Sequence, residues 1–122
     1  MKIELAKTEV IHFIGIGGIG MSGLAQVMNN MGFKVQGSDI RNNKNIERLN
    51  QNNIKIFIGH KSQNIKKATM AVISSAIKNN NKELIAARHN KLSIFKRGEM
   101  LANIVALKKN IVITGSHGKT TT

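Results

Sequence analysis

The chain has 122 residues, the size of a single domain and enough to bury a core without staples. It contains no cysteine, which excludes a disulfide framework and a thiolate metal site. Nineteen Lys and Arg stand against six Asp and Glu, yet the basic residues are scattered and no Trp or Tyr offers bases a stacking platform. The charge therefore reads as a solvated surface, with no nucleic acid expected. The opening "MKIELAKTEV" lacks an apolar signal core, and no apolar run approaches the ~20 residues that cross a bilayer, so a cytoplasmic location without membrane insertion is expected.

In chain order, "VIHFIG" (10–15) predicts a buried strand. The segment 18–31 follows as a helix, with Leu24, Val27, Met28 and Met31 at helical spacing and Gly32 placed to stop it. "FKVQGSD" predicts a second strand ending near Asp39, and a polar helix carrying Ile46 and Leu49 leads to a third, "IKIFIG" (54–59). "TMAVISS" (69–75) is the fourth, followed by a helix over 81–90 and a short strand, "SIF" (93–95). The next helix would put Met100, Leu101, Ile104 and Leu107 on one face, and "NIVIT" (110–114) reads as a last strand. Short strands separated by helices imply an α/β fold with a doubly wound parallel sheet. A boundary is expected near 107–110, giving one unit over 1–107 and the beginning of another over 108–122.

Gly15, Gly17 and Gly20 form G-x-G-x-x-G between a strand and a helix. Such a loop turns tightly, lets backbone approach a diphosphate, and aims helix N-terminal N–H groups at it. Asp39 closes the next strand, where a carboxylate can reach a ribose hydroxyl or cap the following helix. The loop alone does not distinguish NAD, FAD and a nucleotide-sugar diphosphate, and a regulatory domain binding NAD(H) remains an alternative. "GSHGKTTT" (115–122) has the residues of a phosphate-cradling loop: Gly118, then Lys119 for the β and γ phosphates, then Thr120 for Mg²⁺. It departs from the full P-loop pattern, which wants glycine where Ile113 stands.

"GIGGIGMSGLA", "GSD" (37–39), "SSAI" (74–77), "RGEML" (97–101) and "TGSHGKTTT" (114–122) resemble, in order and spacing, the motifs of the Mur ligases. The resemblance covers the chain from Val10 onward. His117 favours the branch that joins L-alanine to UDP-N-acetylmuramate over relatives carrying Asn or Ser there, with the tripeptide-adding branch second. It implies a Rossmann-like N-terminal domain for the UDP-sugar, followed by the first strand and P-loop of an ATPase domain. It also implies an ATP- and Mg²⁺-dependent ligase of peptidoglycan synthesis, making an acyl phosphate that the amine of L-alanine attacks. This chain would be the N-terminal part, binding the UDP-sugar and inactive alone.

By the same resemblance, Gly15, Gly17, Gly18, Ile19 and Gly20 would surround the UDP diphosphate, with Ser38, Asp39, His60, Ser74, Ser75 and Ala76 also on the UDP-sugar side. Gly115, Ser116, His117, Gly118, Lys119, Thr120 and Thr121 would bind ATP, Lys119 and Thr120 being catalytic and Thr120 holding Mg²⁺. His60 reads equally as a turn residue, and Arg97 as a phosphate contact or a surface cation. Where the family often has proline before a glutamate, this chain has Asn81-Lys82-Glu83, which implies only a different helix cap.

Overall fold

A computed structural model describes residues 5–115, with side chains through Lys108. The order is β1 (Val10–Ile14), α1 (Ile19–Asn30), β2 (Lys34–Asp39), α2 (Lys44–Gln51), β3 (Lys55–Ile58), a 3-10 turn (Ser62–Ile65), β4 (Met70–Ile73), α3 (Lys82–His89), β5 (Ser93–Lys96) and α4 (Arg97–Gly115). The strands form one parallel sheet in the order β3-β2-β1-β4-β5. The α/β, doubly wound architecture expected from the sequence is present, with a 3-10 turn that was not anticipated.

The register explains which side chains meet. Ile11 lies opposite Val35 and Met70, and Phe13 opposite Gly37 and Val72, so these residues share one face of the sheet. That face packs against Met21, Leu24, Ala25 and Met28 of α1, Ile46 and Leu49 of α2, and Met100 and Ile104 of α4 in a single apolar core. Successive residues point to the other face: His12 opposite Gln36 and Ala71, and Ile14 opposite Ser38 and Ile73. There α3 and the 3-10 turn close over the sheet.

The helix ends follow from local chemistry. Gly32, at φ +95°, ends α1 in a conformation that side chains resist. Asn43 caps α2 by accepting from Ile46 N at 2.8 Å. Asn81 caps α3 by accepting from Glu83 N at 2.9 Å and Leu84 N at 3.1 Å.

Two expectations are corrected. The segment 110–114, read as a strand, is helical and continues α4 to Gly115. A helix satisfies the N–H and C=O groups of this segment internally, without a neighbouring strand. Leu101 does not share the buried face of α4: Met100 and Ile104 are buried, but Leu101 is 41% exposed.

Candidate functional site

The sheet order reverses between β1 and β4, and a crevice opens at the carboxyl ends of those two strands. Gly15 turns the chain out of β1 at φ +85°, and a β-carbon placed there would lie 3.3 Å from Ile77 and 3.7 Å from Ser74 Oγ. Gly18 is the N-cap of α1, with no side-chain cap and no acidic residue in the first turn. The leading N–H groups of α1 are thus left to face an anion, with the positive end of the helix dipole behind them. Gly18, Ile19 and Gly20 are exposed. Arg97 arrives from the start of α4, so close that a β-carbon on Gly20 would meet its Cδ and Nε at 3.0 Å. Beside it lies a cavity of about 420 Å³ whose lining includes Ser74, Ser75, Asn79, Arg88, Lys96 and Arg97. Three cations, two hydroxyls and an uncapped helix start make this rim electropositive and rich in hydrogen-bond donors.

Asp39 has a definite task at the rim. Its Oδ2 accepts Gly17 N at 2.7 Å and its Oδ1 accepts Ile40 N at 2.7 Å. A β-carbon on Gly17 would lie 2.6 Å from that Oδ2, so only glycine fits between the loop and the carboxylate. Asn43 and Asn45 hold the Gly17 carbonyl from the other side. Asp39 therefore braces the glycine loop, and the alternative that it caps the next helix is excluded because Asn43 does so.

Behind this rim, the covered polar face of the sheet contains a buried carboxylate. Glu83 is fully buried and accepts four hydrogen bonds: His12 Nε2 at 2.7 Å and Ser38 Oγ at 2.5 Å on Oε1, Asn64 Nδ2 at 2.6 Å and Lys61 N at 3.1 Å on Oε2. With only donors around it, it is ionised. Burial alone would push its pKa up, but the hydrogen bonds from His12, Ser38 and Asn64 outweigh burial and hold it below the ordinary glutamate value. His60 Nδ1 lies 2.9 Å from Ser38 Oγ and 3.6 Å from Glu83 Oε2. Among the described residues no group of three His, Cys, Asp or Glu is arranged to hold a metal.

The profile of the Mur ligase family, catalytic domain, matches residues 10–109. The chain belongs to the Mur ligase family. It is 73% identical over all 122 residues to a UDP-N-acetylmuramate–L-alanine ligase of Pelagibacter ubique, covering 26% of that protein. It is 53% identical over its full length to the ligase of the same name from Rickettsia typhi, covering 25% of it. The crystal structure of a UDP-N-acetylmuramate–alanine ligase from Thermotoga maritima superposes with a TM-score of 0.79 at 31% identity, over 82% of this chain and 23% of that one. The chain thus spans about a quarter of the length of the curated relatives it matches.

Within this Mur ligase fold, the predicted residues divide into three groups. Gly15, Gly17, Gly18, Ile19, Gly20, Asp39, His60, Ser74, Ser75 and Ala76 lie on loops and strand ends along one rim of the sheet. Ser38, at the end of β2, is fully buried, and its hydroxyl faces Glu83 and His60. Ser116, His117, Gly118, Lys119, Thr120 and Thr121 lie outside the described residues, and Gly115 is the last residue of α4. Sequence reasoning missed His12, Gln36, Asn64 and the carboxylate role of Glu83. The available signal was a histidine inside the otherwise apolar run "VIHFIG".

Proposed function

We propose that the chain is the N-terminal, UDP-sugar-binding part of an ATP-dependent ligase of peptidoglycan synthesis that joins L-alanine to UDP-N-acetylmuramate in the cytoplasm. The observation that carries this reading is the 73% identity, over every residue of the chain, to a ligase of that name. The rim chemistry supports it. The uncapped start of α1 and Arg97 would take the diphosphate, and Ser74 and Ser75 would add hydroxyl donors at the end of β4. Asp39 would keep Gly17 in place and could offer its remaining lone pairs to a ribose hydroxyl. ATP and Mg²⁺ would belong to Gly115, Ser116, His117, Gly118, Lys119, Thr120 and Thr121, with Mg²⁺ on Thr120; the resemblance alone supports that assignment. Residues 1–107 would form the sugar-nucleotide unit and 108–122 the start of the ATPase unit. The chain would not ligate L-alanine by itself, because the amino-acid site belongs to the rest of the relatives' length.

Titration of the ¹⁵N-labelled chain with UDP-N-acetylmuramate tests this. The amides of residues 15–20 and of Ser74 and Ser75 should move, and NADH at the same concentration should leave them in place. A response to NADH with none to the UDP-sugar would overturn the reading in favour of an NAD(H)-binding domain.

A further inference from the structure

The hydrogen directions in the buried polar cluster follow from groups with no choice of role. Gln36 Nε2 lies 3.0 Å from the Asn64 carbonyl, which can only accept, so this atom is the amide nitrogen. Its second hydrogen faces His12 Nδ1 at 2.9 Å. His12 Nδ1 is therefore an acceptor, and its proton sits on Nε2, donated to Glu83. Ser38 has one hydroxyl hydrogen, and Glu83 takes it. The other contact of that oxygen is His60 Nδ1, which must then be the donor. His60 thus carries its proton on Nδ1, the reverse of the form that predominates for neutral histidine in water. The nearby Oε2 of Glu83 reinforces this placement.

In the neutral ring this leaves Nε2 of His60 without a proton, in a side chain that is 14% exposed. Among the described residues no hydrogen bond occupies it. Gly59, the preceding residue, donates its N–H to the Asp39 carbonyl at 2.7 Å, so His60 leaves β3 alongside the rim residue that braces the glycine loop. Glu83 itself is fully buried.

We propose that Glu83 is a positioning residue that, through Ser38, fixes His60 as the Nδ1–H tautomer and so presents Nε2 as a hydrogen-bond acceptor to the nucleoside of the bound nucleotide. This rests on the UDP-sugar reading above. The matching group on the ligand is a hydrogen-bond donor, either the imide N–H of the pyrimidine or a ribose hydroxyl. A nucleotide that offers only acceptors at this point would be refused, because Nε2 has no hydrogen to give.

Two-bond ¹H–¹⁵N spectra of the imidazole rings, recorded on the full chain without ligand at about pH 8, above the ordinary histidine range, read the tautomer directly. His60 should show Nδ1–H in the native chain and move toward Nε2–H in both Ser38→Ala and Glu83→Gln. His12 should keep its native pattern in Ser38→Ala, which leaves its own partners intact and remains informative if Glu83→Gln fails to fold. UDP affinity should fall about tenfold in Ser38→Ala. N3-methyl-UDP and 2′-deoxy-UDP separate the two donors: the analogue lacking the one His60 recognises should bind the native chain weakly. His60→Ala should no longer discriminate that analogue from UDP. A native His60 protonated on Nε2, or a tautomer or UDP affinity unchanged by Ser38→Ala, would overturn this inference and leave the UDP-sugar reading standing. Indifference to both analogues would do the same. No UDP response in the native chain would overturn that reading, and the ligand half of this one with it.

Discussion

The two faces of the sheet are built on opposite principles. The face toward α1, α2 and α4 is an apolar core of Ile11, Phe13, Met70, Val72 and Phe95 meeting helix side chains. The face toward α3 and the 3-10 turn also buries apolar residues, Ile14, Ile65 and Leu84 among them, but sets His12, Ser38, Asn64 and Glu83 in their midst. A carboxylate in that position has a desolvation cost that apolar packing would avoid, and it persists because four donors surround it. The apolar face stabilises the fold without regard to ligand. The polar face instead fixes the orientation of groups, and it does so directly beneath the end of β2, where Asp39 braces the glycine loop and His60 comes to the surface.

Mutations should separate the two faces by size and by cause. Phe13→Ala, which opens a cavity in the apolar core, should cost about 3–5 kcal/mol in chemical denaturation at any pH where the chain is folded. Glu83→Gln should cost less, about 2–3 kcal/mol, because a carboxamide accepts on one oxygen only and leaves buried donors unpaired. If Phe13→Ala proved the milder of the two, the apolar face would not be the main source of stability.

Acid should sharpen the contrast. The folded state holds Glu83 below its ordinary pKa, so its ionised form adds stability that is fully present above that ordinary value and drains away as pH falls through it toward the folded value. Glu83→Gln lacks this dependence. The gap in urea midpoint between native chain and Glu83→Gln should therefore narrow between neutrality and roughly pH 3, while the gap to Phe13→Ala stays nearly constant. His12 from β1 and His60 after β3 are the other titratable groups facing Glu83 and remain in both proteins. A constant Glu83→Gln gap would mean that the carboxylate is not preferentially ionised in the fold.

The apolar face was legible from sequence, and the polar face was not, for a physical reason. Short apolar runs name the buried strands β1 and β4, and a 3.6-residue period names most of the buried face of α1, because each element carries its own signal. The glycine loop was equally legible, since its three glycines lie within six consecutive residues, 15–20. His12 and Glu83 are 71 positions apart, and each has an ordinary local reading, one as a residue in a strand and the other in a helix start. Only the register that places Gln36 beside His12 and Ser38 beside Ile14, with α3 crossing above, brings them into one cluster. The strand expected at 110–114 failed differently: "NIVIT" has strand-like composition, but a strand needs a neighbour, and composition cannot supply one.

The smallest effect tests one of two places where helical spacing misjudged a face, the other being Val27 of α1, which is 37% exposed. Met100, Leu101, Ile104 and Leu107 satisfy an apolar period, yet a stripe can be drawn through either Met100 or Leu101 as its edge. The sheet chooses Met100, which is fully buried with Ile104, while Leu101 points away and Leu107 is partly covered. Ile104→Ala should therefore cost about 2–5 kcal/mol, and Leu101→Ala about 0.5 kcal/mol or less. A cost for Leu101→Ala comparable to that of Ile104→Ala would show that the outer side of α4 is covered in solution. The apolar core would then continue beyond the three layers of this fold.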